Sequence, residues 1–265
     1  MVWLCRQKSY FWGFIYAFNT TMINKFSGFF LLLLLPLTAM SQTPEAPKSK
    51  ARPDIPGTFT LELGANRPVD GPENFKVALW GSRTFNLYYQ YEMQILKSKI
   101  SFVPGIGVSL ERFKFRNGEI LQFPSNNRDS VILLPVFQHQ ITTLRKSQLI
   151  TNYVEVPLEL RYSTKPNDPS RSFKISIGGR VGYLYDALTK IKFKDDGEFK
   201  QIKDKQNFNL NRFRYGVYTK IGFGNFALFG YYNLSPLFKE GEGFHNMGQP
   251  IDFNTFTAGI SLSSF

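Results

Sequence analysis

Two histidines, His139 in "VFQHQIT" and His245 in "GEGFHNMG", are the only imidazoles in the chain. An imidazole titrates near neutrality, so it is the usual proton carrier of a hydrolytic site and a frequent metal ligand. Neither histidine has the neighbours such work requires. No serine sits in a nucleophile-elbow pattern, and no His/Asp spacing marks a metal site. The one cysteine is Cys5. The residues therefore predict no enzyme and call for no cofactor and no metal. A second chemically suggestive stretch is residues 212–223, "RFRYGVYTKIGF", where bases alternate with rings and branched side chains. In a chain of formal charge +12 that mixture raises nucleic-acid binding.

The element that must carry the stretch removes that reading. Successive strand residues face opposite sides, so parity sorts the two faces. Phe213, Tyr215, Val217, Thr219, Ile221 and Phe223 share one face. Arg212, Arg214, Gly216, Tyr218, Lys220 and Gly222 share the other. A sheet that stacks bases needs its rings and cations on the same exposed face. Here they oppose each other, and no nucleic-acid partner is expected.

The same alternation recurs eight times after Gly57. Phe59, Leu61, Leu63 and Ala65 oppose Thr60, Glu62, Gly64 and Asn66. Phe85, Leu87, Tyr89, Tyr91, Met93 and Ile95 oppose Asn86, Tyr88, Gln90, Glu92 and Gln94. Ile100, Phe102, Ile106, Val108 and Leu110 oppose Ser101, Gly105, Gly107 and Ser109. The fourth run sets Val154 to Tyr162 against Glu155, Pro157, Glu159 and Arg161. The fifth sets Phe173, Ile175, Ile177, Val181, Tyr183 and Tyr185 against Lys174, Ser176, Gly178, Arg180 and Gly182. The sixth is residues 212–223. The seventh, residues 225–237, is mixed, with Phe229 and Tyr231 off the main apolar parity. The eighth sets Phe256, Ala258, Ile260 and Leu262 against Thr257, Gly259 and Ser261.

Each run is roughly ten residues or more, the length a tilted strand needs to cross a bilayer. Short connections alternate with long polar ones. This predicts an all-β protein: an eight-stranded antiparallel transmembrane β-barrel with short periplasmic turns and four long outer loops. Closure leaves no unpaired edge in lipid. A soluble barrel would also alternate, but its rings would not gather at the ends of the apolar parity. Here Phe173 stands at one end of its run and Tyr183 and Tyr185 at the other. Phe213 and Tyr215 answer Phe223 in the same way. These six form the expected lipid-facing aromatic girdle. The second outer loop carries "SVILLPVFQHQI", too apolar for a loose tip. Three uses stay open: a hairpin above the membrane, two further strands in a ten-stranded barrel, or a docking patch.

Residues 1–41 read as a leader. From Met22, "MINKFSGFFLLLLLPLTAMSQ" has a positive start at Lys25, about twelve apolar residues, and small Ala39 and Ser41 ahead of a cut before Gln42. Translation is expected to begin at Met22. The alternative, one longer anchor over residues 10–37, is interrupted by Asn19, Asn24 and Lys25. Loss of Arg6, Lys8 and Lys25 takes the formal charge from +12 to +9. Residues 42–57 form a proline-rich periplasmic arm, and residues 58–265 form the barrel.

The signal peptide, "TNYVEVPLELRY" at 151–162, "ISIGGRVGYLYDA" at 175–187 and "FALFGYYNLSPL" at 226–237 resemble the PorT-like outer-membrane β-barrel proteins of Gram-negative bacteria. That resemblance implies a small OmpA-type architecture and an outer-membrane location, with a protein-secretion system as the setting of some members. One departure concerns the end of the chain. Phe265 lies on the opposite parity to Phe256 and Leu262, so a terminal aromatic would face lipid only after a bulge near Ser263 and Ser264.

With the apolar face outward, the polar parity lines the lumen. It carries Glu62, Glu92, Glu155 and Glu159 against Arg161, Lys174, Arg180, Arg212, Arg214 and Lys220, four acids and six bases. An eight-stranded barrel is just wide enough to be filled by side chains. The expected role of this set is a salt-bridged plug in a structural or interaction protein. The surplus of two bases motivates the alternative, a narrow anion-preferring conduit. Expected partners are outer-membrane lipid and lipopolysaccharide, the latter through the lysines of the third outer loop. Envelope or secretion proteins are expected at the outer loops or residues 42–57.

Overall fold

Where the side-chain alternation holds, the backbone is extended. The structure is a computed structural model that describes residues 57–264, apart from 73–74, 97, 117, 125–129, 136–142, 196, 242 and 247–248. The predicted leader, the remainder of the proline-rich arm, Phe265 and His139 lie outside the described residues.

Among the described residues fourteen strands form: β1 (Thr58–Val69), β2 (Arg83–Gln90), β3 (Met93–Gln94), β4 (Ile100–Lys114), β5 (Glu119–Gln122), β6 (Ile132–Pro135), β7 (Thr143–Ser163), β8 (Phe173–Asp195), β9 (Glu198–Asp204), β10 (Phe213–Phe223), β11 (Phe226–Asn233), β12 (His245–Asn246), β13 (Gln249–Pro250) and β14 (Asn254–Ser263). Eight of them close a ring in the order β10, β11, β14, β1, β2, β4, β7, β8, with β8 returning to β10. Every pair in the ring is antiparallel. These eight strands carry the eight alternating runs. The register between β1 and β14 is unbroken from Thr60↔Ser263 to Val69↔Asn254. No bulge shifts the phase of β14 as far as Ser263.

The apolar parity points out of the ring. Ile177, Val181, Val217, Ile221 and Leu228 are all exposed, while Glu62, Glu155 and Glu159 on the other parity are fully buried. The mixed seventh run resolves the same way. Phe226 and Leu228 face outward, and Phe229 and Tyr231 are buried inside. Two-residue turns suit one end of the ring. At Gly224–Asn225, between the paired Phe223 and Phe226, Gly224 takes φ +60°, which a II′ hairpin requires at its first turn residue.

The strands of one wall continue beyond the ring. β4, β7 and β8 have 15, 21 and 23 residues, and β9 pairs with the far end of β8. A register shift between β7 and β8 at Asn152/Tyr153 marks the step. Below it Tyr183 and Tyr185 point outward. Above it Ala187, Thr189 and Ile191 point inward, because one extra residue exchanges the faces. The apolar stretch of the second loop forms a separate hairpin, β5 with β6. The ten-stranded alternative is therefore not what forms: β5 and β6 lie in a sheet of their own, outside the ring.

Candidate functional site

The interior charge network of the ring is assembled from inward residues of six strands, β1, β2, β4, β7, β8 and β10. β1 supplies Glu62, whose carboxylate receives Arg180 of β8 at 2.9 Å and Lys220 of β10 at 3.1 Å. Lys220 reaches on to Glu159 of β7, also at 3.1 Å. Arg161 on the same strand pairs with Glu159 and with Glu92, both at 2.8 Å. Higher in the ring, Arg214 of β10 joins Glu155 of β7 at 2.7 Å and Glu111 of β4 at 2.9 Å. Tyr88 donates a short hydrogen bond to Glu155 and links the two levels. Asn86 donates to Glu62, and Tyr218 to Glu159.

Rings line the space around the cations. The Arg180 guanidinium lies 4.3 Å from the centroid of Tyr218, 5.0 Å from Tyr231, 5.1 Å from Tyr88 and 5.8 Å from Phe229. Arg214 lies 3.7 Å from the centroid of Tyr153. Such contacts favour a desolvated cation because the ring faces are electronegative. Buried charges persist only when paired and hydrogen-bonded. Here each buried carboxylate named above meets at least one cation.

The sequence-expected set is modified at three positions. Glu92 is exposed between β2 and β3 and reaches the interior only through Arg161. Arg212 is exposed and precedes β10, so it is not part of the interior. Glu111 belongs there and was not in the set. Its parity matches Ser109 and Gly107, but the third alternating run was ended at Leu110, whereas β4 continues to Lys114. Lys174 is half-buried at the short-turn rim and donates to the Gly224 carbonyl at 3.1 Å. The buried charges of the interior are then four acids, Glu62, Glu111, Glu155 and Glu159, against four bases, Arg161, Arg180, Arg214 and Lys220. The surplus that motivated an anion conduit disappears.

Above the charged levels the interior becomes apolar. Phe113, Phe115, Leu149, Tyr153, Leu184 and Ala187 point inward from the extended strands. All four long loops fold over them. Phe75 comes from the first loop, Leu121, Val131 and Leu133 from the second, Phe208 and Leu210 from the third, and Leu237, Phe238, Phe244 and Phe253 from the fourth. Phe75 is the hub, 4.7 Å from the Phe253 ring centroid, 5.3 Å from Phe115 and 5.6 Å from Phe244. The described apolar residues Leu121, Val131 and Leu133 of the second loop are thus spent on closing the mouth, with Val131 fully buried.

His245 is half-buried in β12 and its Nδ1 lies 3.0 Å from the Gly243 carbonyl. Among the described residues no group of three or more His, Cys, Asp or Glu is placed to hold a metal ion. An open cleft of about 590 Å³ lies beside the first loop, between Asn66, Asp70, Phe75, Lys76 and Arg116. Its charged lining is one acid, Asp70, and three bases, Arg67, Lys76 and Arg116.

Comparison with known proteins identifies the architecture. The profile of the outer membrane protein beta-barrel domain matches residues 58–239. No curated protein matches the chain. Among solved structures, Ail, the attachment invasion locus protein of Yersinia pestis, is similar at 15% identity and a TM-score of 0.35 over 78% of this chain and 97% of that one. Neisserial surface protein A is similar at 12% identity and a TM-score of 0.27 over 78% and 96%. The N-terminal barrel domain of Pseudomonas aeruginosa OprF is similar at 9% identity and a TM-score of 0.27 over 78% and 99%.

Proposed function

The chain belongs to the outer membrane protein beta-barrel domain family, and from that premise we propose that it is a sealed structural barrel whose task is interaction. Its outward aliphatic band meets lipid, with Phe173 and Phe223 at the periplasmic headgroup level and Tyr183, Tyr185, Phe213 and Tyr215 at the outer one. The leader at residues 22–41 exports it. Its long loops and the arm at residues 42–57 offer contact to an envelope or secretion assembly, the setting that the resemblance to PorT-like proteins suggests.

One observation carries this reading: the lumen is filled from both ends of its chemistry. Four buried acids and four buried bases occupy the lower levels, and an apolar cap drawn from every long loop occupies the top. A barrel with no room for a solute has its exterior left for function. The test has two arms on the full chain. Affinity capture from crosslinked envelopes is expected to retain a defined partner that is lost when residues 42–57 are deleted. Planar-bilayer recordings are expected to give no conductance steps in chloride, phosphate or sulfate. Steps in any of these would favour the narrow-conduit reading instead.

A further inference from the structure

The outward face of the extended wall carries a charge pattern that the barrel itself does not need. Paired strand residues share a face, so the ladders can be followed as rows. One row runs Lys114 (β4), Gln148 (β7), Lys190 (β8), Lys203 (β9). The row above runs Lys146 (β7), Lys192 (β8), Gln201 (β9). The row below runs Arg83 (β2), Arg112 (β4), Ile150 (β7), Leu188 (β8). Three of these neighbours are base directly opposite base: Arg83↔Arg112, Lys146↔Lys192 and Lys190↔Lys203. Adjacent strands are about 4.8 Å apart, and like charges at that spacing repel and destabilise a sheet. No position in the three rows is acidic, and among the described residues no ion pair reaches these bases.

Two local features mark the same place. Gln148, in the middle of the lysine row, is 97% buried, being only 3% exposed, and its Oε1 has no hydrogen-bond partner among the described residues. Partial burial and then the charges of Lys114, Arg112, Lys190 and Lys192 hold the Lys146 ammonium below the ordinary lysine range. Lys190 is lowered by desolvation and by Lys192, Lys203 and Arg112.

We propose that the outward face bearing Arg112, Lys114, Lys146, Lys190, Lys192 and Lys203 is a binding site for the phosphates of an outer-leaflet glycolipid of the diphosphorylated lipid A class. The position selects this source over a soluble polyanion. The rows stand on the outside of the wall. The row beneath them runs Phe85, Leu110, Asn152, Asp186, with Asp186 paired to Lys205 at 2.7 Å, and the apolar band continues below it with Leu87, Val108, Val154 and Tyr183. A lipid whose acyl chains lie on that band has its headgroup at the height of the bases. Its phosphates offset the three like-charged pairs. The proposal rests on the outer-membrane placement, not on any partner assembly.

The experiment uses the full folded chain in detergent. Binding of diphosphoryl lipid A, of lipid A stripped of both phosphates, and of a soluble sulfated polysaccharide is measured for three proteins. These are the wild type, the triple variant Lys146→Gln/Lys190→Gln/Lys192→Gln, and a control losing the same charge at the opposite end, Lys99→Gln/Lys165→Gln/Arg171→Gln. Each basic contact near a membrane surface is worth on the order of a fivefold change in affinity. The triple variant should therefore bind diphosphoryl lipid A roughly tenfold or more weakly, with the control unchanged and the stripped lipid bound poorly by all. Diphosphoryl lipid A should also protect Lys146 and Lys190 of the wild type from acetylation, a readout that does not depend on a variant folding. Equal binding by wild type and triple variant, equal binding of stripped lipid, or absence of protection overturns the proposal. Tight binding of the sulfated polysaccharide without lipid A binding assigns the face to a soluble polyanion instead and overturns it as well.

Discussion

Arg212 stands in the lumen set expected from the sequence and Glu111 does not, and the structure exchanges them. Glu111 is buried and shares Arg214 with Glu155. Arg212 is exposed, ahead of the strand that turns Arg214 inward. Removing one member of a buried ion network leaves a charge without its full complement, at a cost of about 3 kcal/mol. Glu111→Gln should lower the unfolding midpoint of the detergent-folded protein by that equivalent. Arg212→Gln should stay within about 0.5 kcal/mol of wild type, as surface changes do. A similar loss from both would return Arg212 to the interior. The Arg180 cage makes a related point. Tyr88, Tyr218, Phe229 and Tyr231 each had the inward parity in the sequence, yet alternation says only which face a ring occupies. That four rings from three strands converge on one guanidinium depends on register, which parity does not contain.

At the scale of the strand, the inward glycines and the inward rings are one device. Tyr88 lies opposite Gly107, and Tyr218 opposite Gly178. A Cβ built on Gly178 would stand 2.8 Å from the Tyr218 ring and 2.4 Å from the Leu158 carbonyl. The missing side chain is the space the tyrosine fills, a pairing of edge-on glycine and covering ring that also pins register. Gly178→Val should therefore cost about 1–3 kcal/mol by overpacking. Its outward neighbour Gly179 has nothing nearer than 3.6 Å to an added Cβ, and Gly179→Val should be neutral or mildly stabilising. Urea unfolding of both variants in lipid vesicles separates them, and an equal loss would refute the filling role. Legibility in the sequence follows the same physics. Eight strands, their faces and most of the lumen charges were readable because a period of two is a local signal. The outward extension of β7 and β8 was not, because the shift at Asn152/Tyr153 exchanges the faces and breaks the period where the wall leaves the ring. The fate of "SVILLPVFQHQI" was not readable either. Apolar residues declare that they will be covered, and three loops distant in sequence decide by what.

For the whole molecule, the two faces of the wall meet different solvents, and a single outward charge tests the assignment. Val217 is exposed in the middle of the aliphatic band between Tyr215 and Ile221. Arginine at mid-bilayer costs about 2–4 kcal/mol. Val217→Arg should reduce the folded fraction recovered in vesicles, as read by the heat-sensitive shift in gel mobility, while Val217→Leu should not. Unimpaired assembly of the arginine variant would mean the barrel is inside out. The ring also has a seam. β1 and β14, the first and last of its strands, are hydrogen-bonded to each other, with Thr60 beside Ser263. Strand β14 pairs with both β1 and β11, so without residues 254–263 in place the ring is an open sheet with two unpaired margins, and closure waits for the last of its strands.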